Sequence, residues 1–245
     1  MAPGMPNIEI RSHAGKLPAY LSPPSGTEIP CPGVVVVHDI FGMSKDLQNQ
    51  CDWLAQEGFI AIAPNLFSRR PKPVCVVSAF RQLSVGKGEL FDDIEATRAW
   101  LERDERCNGR IGVIGFCMGG SFALLLAPSG NYDVSSVNYG RLPSDAELYL
   151  KGSCPIVGSY GARDRSLQGV AERLAAALDS NGVANDIQKY SLAGHGFLND
   201  HQNSFLRVLG PFLGFGYHPD SARDAKARIV GFFNFHLRES PTSTP

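Results

Sequence analysis

Arg110-Ile-Gly-Val-Ile-Gly-Phe-Cys-Met-Gly-Gly-Ser-Phe-Ala-Leu-Leu-Leu-Ala127 is the stretch on which the reading of this chain turns. Its apolar run from Ile111 to Phe116 has the length and continuity of a buried strand, and Ser121 to Ala127 reads as a helix packed behind it. Cys117 falls at the break. Gly115, Gly119 and Gly120 surround it, for a steric reason: a turn this tight forces an unusual φ/ψ at its apex and brings the strand and helix backbones too close for a Cβ. The turn also aims backbone N–H groups at whatever the sulfur attacks. The Met118 N–H, at the start of the helix, is placed to stabilise an oxyanion and favours thiolate over thiol. The opposite reading, a buried cysteine acting as a small core hydrophobe, is adopted for Cys31, Cys51, Cys75, Cys107 and Cys154.

Working outward, Gly33-Val-Val-Val-Val37 is a run of four β-branched residues without polar alternation, as in a central strand buried on both faces. It ends in His38-Asp-Ile-Phe-Gly-Met-Ser44. Ser44 is suited to cap a helix running to about Glu57, whose apolar stripe is Leu47, Cys51, Leu54 and Ala55. Phe59 to Pro64 reads as the next buried strand. Asn65 to Gly88 shows no clear periodicity and is expected to be a long irregular connection, of the kind that serves as a lid or binding loop. Glu89 to Arg103 is an amphipathic helix leading into the strand before Cys117.

Beyond it, Val134 to Gly140 and Pro155 to Tyr160 read as strands, with a short helix near Asp145 to Lys151 between them. A long helix from about Leu167 to Asn181, an alternating strand from Asp186 to Tyr190 and a final helix from Ser221 to Arg238 complete the pattern. At the N-terminal side, Asn7 to Leu21 alternates like a short hairpin, and Pro23 to Pro30 reads as a polar turn. Strands alternating with helices imply an α/β fold with a mostly parallel central sheet covered by helices on both faces. No repeat or linker divides residues 1–245, so one domain is expected.

A net charge of −1 supplies no long-range field to gather nucleic acid or anionic lipid, and neither is expected as a partner. No apolar stretch approaches the length of a membrane span. The six cysteines lack paired spacing, and no basic segment followed by an apolar run stands near Met1, so a reducing, cytoplasmic setting is expected.

A nucleophilic thiol needs a base, and the base needs a partner that fixes its tautomer. Of six histidines, only His195 lies in a glycine-lined loop directly after a late strand, where a side chain reaches the carboxyl edge of the sheet. Asp164, in the loop after the strand ending at Tyr160, fits the acid; its alternative role is to interact with the dipole of the following helix. The chain order is then nucleophile, acid, histidine. His195, Asp200 and His201 stand close in sequence but match no familiar zinc spacing, so no metal is expected.

His38-Asp-Ile-Phe-Gly42, Gly115-Phe-Cys-Met-Gly-Gly120, Gly161-Ala-Arg-Asp164 and Gly194-His-Gly-Phe197 together resemble the dienelactone hydrolase family of α/β hydrolases, with the likeness extending from about Asn7 to Leu237. The resemblance implies Cys117 as nucleophile, Asp164 and His195 as its partners, and the Ile40 and Met118 N–H groups as an oxyanion hole. It implies a small ester or lactone substrate and no cofactor, with a monomer or weak homo-oligomer as the expected state. Asp39 stands where related members carry a glutamate that holds the resting thiol; being one methylene shorter, it is assigned either to Cys117 or to shaping the oxyanion loop. Asn199 stands where dienelactone-cleaving members place an arginine for the substrate carboxylate, and an amide cannot form that bidentate pair. Arg69, Arg70 and Arg81 are the candidates to replace it, against the reading that they are solvated surface charges.

Two other functions compete. A thiol-based peroxide sensor or reductant needs a resolving cysteine, and none is near Cys117 in sequence. A catalytically silent binding protein would have no need of Cys117, Asp164 and His195 together.

Overall fold

The structure, a computed structural model, describes residues 7–26, 30–201 and 214–238; the polar turn expected from Pro23 to Pro30 falls partly outside them. An eight-stranded sheet runs through the molecule in the order β1-β2-β4-β3-β5-β6-β7-β8. The strands are β1 Ile8–Ser12, β2 Gly15–Ser22, β3 Cys31–Val37, β4 Ile60–Pro64, β5 Cys107–Phe116, β6 Val134–Asn138, β7 Ile156–Gly161 and β8 Asn185–Tyr190. The hairpin β1–β2 joins β4 in antiparallel pairing, and all pairings from β4 to β8 are parallel.

Every residue of β3 is buried, as its unbroken valine run requires. The period of two divides that run between the two faces of the sheet. Val34 and Val36 pack with Leu47, Cys51 and Leu54 of α1 (Lys45–Gln56) and with Ala225, Ile229 and Phe233 of the final helix, α7 (Pro219–Leu237). Val35 and Val37 pack on the other side, with Leu90, Ile94 and Leu101 of α3 (Glu89–Glu102) and with Phe122 and Ala123 of α4 (Met118–Leu126). Ser44 caps α1, its Oγ accepting from the Leu47 N–H at 3.1 Å.

The segment from Asn65 to Gly88 departs from the expected irregular connection. It contains α2, Lys72–Val85, stopped by Gly86 in the left-handed conformation at φ 73°. Only Cys75 and Ala79 of this helix are buried, while Val74, Val77, Phe80 and Val85 are exposed. A single i, i+4 pair facing inward, with apolar residues scattered outward, leaves no helical period to read. Two smaller shifts have local causes. α4 begins at Met118, directly after the turn. A 3₁₀ turn at Arg165–Leu167 and left-handed Gly169 delay the following helix, α6 (Val170–Ser180); the four-residue α5 is Ala146–Tyr149.

This topology fixes where a site can form. From β3 the chain moves outward to β4, then returns across β3 to β5, so the strand order reverses between β3 and β5. A crevice opens at the carboxyl ends of such a pair. His38 to Ser44 leaves β3 there, and Cys117 leaves β5 beside it.

The close approach at this crossing leaves no room for side chains. A Cβ on Gly115 would lie 1.9 Å from the Gly119 carbonyl oxygen, and one on Gly119 would lie 2.1 Å from that of Val37. Gly119→Ala is therefore expected to cost about 3 kcal/mol or more, the upper range for overpacking. Gly130→Ala, at φ 75° in open space, should cost only the backbone penalty of about 1–2 kcal/mol. Chemical denaturation of the two variants beside wild type measures the contrast.

Candidate active site

Cys117 adopts φ 55° and ψ −113°, a left-handed conformation unusual outside glycine. Its N–H donates to the Asn138 carbonyl at 3.0 Å, and its own carbonyl accepts from Ser121 N–H at 3.2 Å. The strained residue is thus held from β6 on one side and from α4 on the other. Asn138 is itself fixed, its Nδ2 donating to Gly115 O and Ser136 Oγ at 3.1 Å each. The Cys117 side chain is half-buried at the crevice. Met118 opens α4, where first-turn N–H groups have no intrahelical acceptor.

His195 lies in the loop after β8. Its N–H donates to Gly214 O at 2.7 Å and its carbonyl accepts from Gly216 N–H at 2.9 Å, so residues 214–216 clamp its backbone. The ring lies against Tyr139 and Phe215, with centroids at 5.2 and 5.8 Å. Its Nδ1 is 2.6 Å from Asp164 Oδ2, while Asp164 Oδ1 accepts from Ser166 N–H at 2.9 Å and Ser166 Oγ at 2.6 Å. With every contact on the carboxylate an incoming donor, Nδ1 carries the proton and Nε2 is left to bond Cys117. Burial opposes charge on His195, but its bonds to Asp164 and Cys117 outweigh that and push it up to about 9. Burial likewise opposes charge on Asp164, yet the bonds from His195 and Ser166 hold its carboxyl below the usual range.

The loop after β3 is fastened on either side of Ile40. His38 is fully buried; its Nε2 accepts from Leu66 N–H at 3.2 Å, so Nδ1 donates to Asp39 O at 2.6 Å. Burial lowers its pKa and keeps it neutral. Asp39 Oδ1 accepts from Phe41 N–H at 2.7 Å, and Oδ2 accepts from His201 Nε2 at 2.8 Å. Burial opposes charge on His201, but the bond to Asp39 and the nearby Asp39, Asp46 and Asp200 charges raise its pKa. The Phe41 ring packs on His201 at 4.4 Å and under the Lys72 ammonium at 5.1 Å. Phe41 and Gly42 N–H groups are spent on Asp39, whereas Ile40 N–H has no such partner among the described residues.

Two of the arginines expected at the substrate, Arg69 and Arg70, are engaged elsewhere. Arg69 makes a bidentate pair with buried Asp93 of α3, at 2.5 and 3.1 Å, and also reaches Glu89 and Ser12. It pins the loop after β4 onto α3. Arg70 pairs with Glu89 at 2.9 Å, and Arg81 stands exposed on α2. The cation that α2 does meet is Arg141, over the Phe80 ring at 5.7 Å. Asn199 is buried: its Oδ1 accepts from Tyr139 Oη, and its Nδ2 donates to Asp46 Oδ2 at 2.5 Å. The residues that sequence reasoning passed over are therefore His201, Tyr139 and Asp46. For His201 the sequence does carry a signal, two histidines six apart in one loop.

The His195–Asp164 pair has a worked pH dependence. The stability it gives through His195 is complete below the unfolded imidazole value of about 6.5 and is lost as pH rises through about 9. The part due to Asp164 is present above its unfolded value of about 3.9 and is lost as pH falls through its lowered folded value. Melting curves of wild type and His195→Gln should differ most between about pH 5 and 6.5 and converge toward about pH 10.

The family model described as the dienelactone hydrolase family matches residues 17–237. A Yersinia pestis protein named "Putative carboxymethylenebutenolidase" is 30% identical over 243 residues, covering 93% of this chain and 86% of its own. The carboxymethylenebutenolidase of Pseudomonas putida is 23% identical over 210 residues, 81% of this chain and 88% of its own. The crystal structure titled "Putative Dienelactone Hydrolase" from Klebsiella pneumoniae superposes with a TM-score of 0.75 at 26% identity, covering 92% of this chain and 95% of that one. A dienelactone hydrolase-like promiscuous phosphotriesterase from metagenomic libraries shares the fold, with a TM-score of 0.77 at 20% identity over 94% and 98% of the two chains. The chain belongs to the dienelactone hydrolase family of α/β hydrolases.

Proposed function

We propose that this protein hydrolyses a small ester or lactone through a covalent thioester on Cys117. The observation that carries the reading is the strained Cys117, at φ 55° on the elbow, with His195 bonded to it and fixed from behind by Asp164 at 2.6 Å. Proton transfer to Nε2 makes the thiolate–imidazolium pair, and the sulfur attacks the substrate carbonyl. The Ile40 and Met118 N–H groups donate to the oxyanion that forms. As the C–O bond breaks, the imidazolium gives its proton to the leaving alkoxide, which in a lactone stays attached as a hydroxyl. Neutral His195 then takes a proton from water, hydroxide attacks the thioester, and the carboxylic acid leaves as the thiolate returns. The chemistry calls on no cofactor.

In this mechanism Asp39 works through the loop. One oxygen fixes the Phe41 N–H and the other is fixed by His201, so the pair sets the direction in which Ile40 N–H points. Its partners favour the loop-shaping role over contact with the thiol.

The test is turnover of a dienelactone and of an aryl acetate by wild type and Cys117→Ala. Hydrolysis by wild type, lost in the variant, with an acyl group trapped on Cys117 at acidic pH, is the expected result; equal rates for the two proteins overturn the reading. His201→Ala should lower kcat by roughly 10- to 100-fold with KM little changed, because misplacing an oxyanion donor is felt mainly in the transition state. Steady-state kinetics on the same aryl acetate gives the split.

A further inference from the structure

Two more cysteines meet at the opposite end of the strands that carry the site. Cys31 and Cys107 are the first residues of β3 and β5 and are register partners in that parallel pair. Neighbouring strands lie about 4.7–4.9 Å apart, within the roughly 4.4–6.8 Å Cα separation that a disulfide accepts. The two side chains also share a face of the sheet. Strand alternation puts Cys31 on the same side as Gly33, and a Cβ on Gly33 would meet Cys107 Sγ at 3.2 Å. The Cys107 sulfur thus lies over the β3 backbone on the side to which Cys31 points, and both belong to the cluster that includes Leu101.

The two thiols differ in access. Cys107 is partly exposed, whereas Cys31 is buried. Burial raises the Cys31 thiol, while the Arg238 and Arg106 guanidiniums act to lower it; burial also raises Cys107, and a charge on Cys31 adds to the rise. Both arginines are held in place, Arg106 by Asp104 and Arg238 by the Glu57 and Gly58 carbonyls. The pairing register slips between Cys31 and Gly33, and Gly109 sits at φ 84°, so β5 is not locked into regular geometry at this point.

We propose that Cys31 and Cys107 form a redox site that a hydroperoxide converts into a cross-strand disulfide. The Cys107 thiolate attacks the peroxide oxygen, the O–O bond breaks, and a sulfenic acid forms while the alkoxide or hydroxide leaves and takes up a proton. The Cys31 sulfur then attacks the sulfenic sulfur: the S–S bond forms, the S–O bond breaks, and water leaves. The two thiols lose two electrons, and the peroxide gains them. A dithiol reverses the step by exchange. The bond joins β3 to β5, whose far ends hold the loop of Ile40 and the elbow of Cys117. The site is independent of the hydrolytic reading, since neither thiol takes part in it.

Cys117→Ala protein, which retains five thiols, is treated with hydrogen peroxide, blocked with a maleimide under denaturing conditions and digested without reduction. The expected result is a monomer two hydrogens lighter, three maleimide-reactive thiols, a Cys31–Cys107 linked peptide, and recovery of all five thiols after dithiothreitol. Cys31→Ser in the same background should stop at Cys107 sulfenic or sulfinic acid with no internal crosslink. Five unmodified thiols, Cys107 over-oxidised with Cys31 still free, or a disulfide joining any other pair overturns the proposal.

Discussion

The constraint on which the rest of this structure depends is the contact of backbone with backbone where α4 crosses the carboxyl ends of β3 and β5. Gly119 lies so close to the Val37 and His38 carbonyls that no β-carbon fits between them, and Gly120 is as close to Asn138 and Gly140. That proximity makes the start of one helix, the exit of β3 and the exit of β6 into a single assembly. The positive φ of Cys117 follows from it, since only a sharp reversal can place a helix this near the strand it leaves. The strain is carried by main-chain hydrogen bonds, one donated to the Asn138 carbonyl and one accepted from the Ser121 N–H.

Around this assembly stand two carboxylate–imidazole pairs of parallel construction. Asp39 follows β3 and Asp164 follows β7, whereas both histidines, His195 and His201, come from the chain that follows β8. One stretch of chain therefore closes both pairs. The Asp164–His195 pair bears on the sulfur and the Asp39–His201 pair on the loop beside it. Asn199 lies between the two histidines in sequence and anchors that stretch from below, taking the Tyr139 hydroxyl and donating to Asp46 of α1. Tyr139 in turn packs on the His195 ring, so α1, the chain leaving β6 and the histidine loop are joined through buried polar groups.

What could be read from the sequence divides along physical lines. The elbow was legible because three glycines within six residues have one steric explanation, and the valine run of β3 because only burial on both faces tolerates it. Asp164 and His195 were legible because each follows a strand whose end was already placed. α2 was not, since its packing rests on Cys75 and Ala79 alone. The pairing of Arg69 was not legible for a related reason: its partners Asp93 and Glu89 lie on α3, and local sequence holds no record of a pairing across 20 to 24 positions.

Asn199 shows why a departure from a family pattern should be read through its neighbours. Its contacts are all to buried groups, and Asp46, which receives its amide, is itself raised by burial. A side chain so placed is part of the support for the histidine loop. Through Tyr139 and Asp46, Asn199 ties the loop that carries His195 and His201 to the chain after β6 and to α1. Of the arginines the sequence suggested for a substrate's acid group, Arg69 is closed in by two carboxylates and Arg70 by one, whereas Arg81 stands exposed on α2. On the proposed reading, each imidazole beside the crevice already answers to an aspartate, and the groups left for a reacting carbonyl are the backbone N–H groups at Ile40 and Met118.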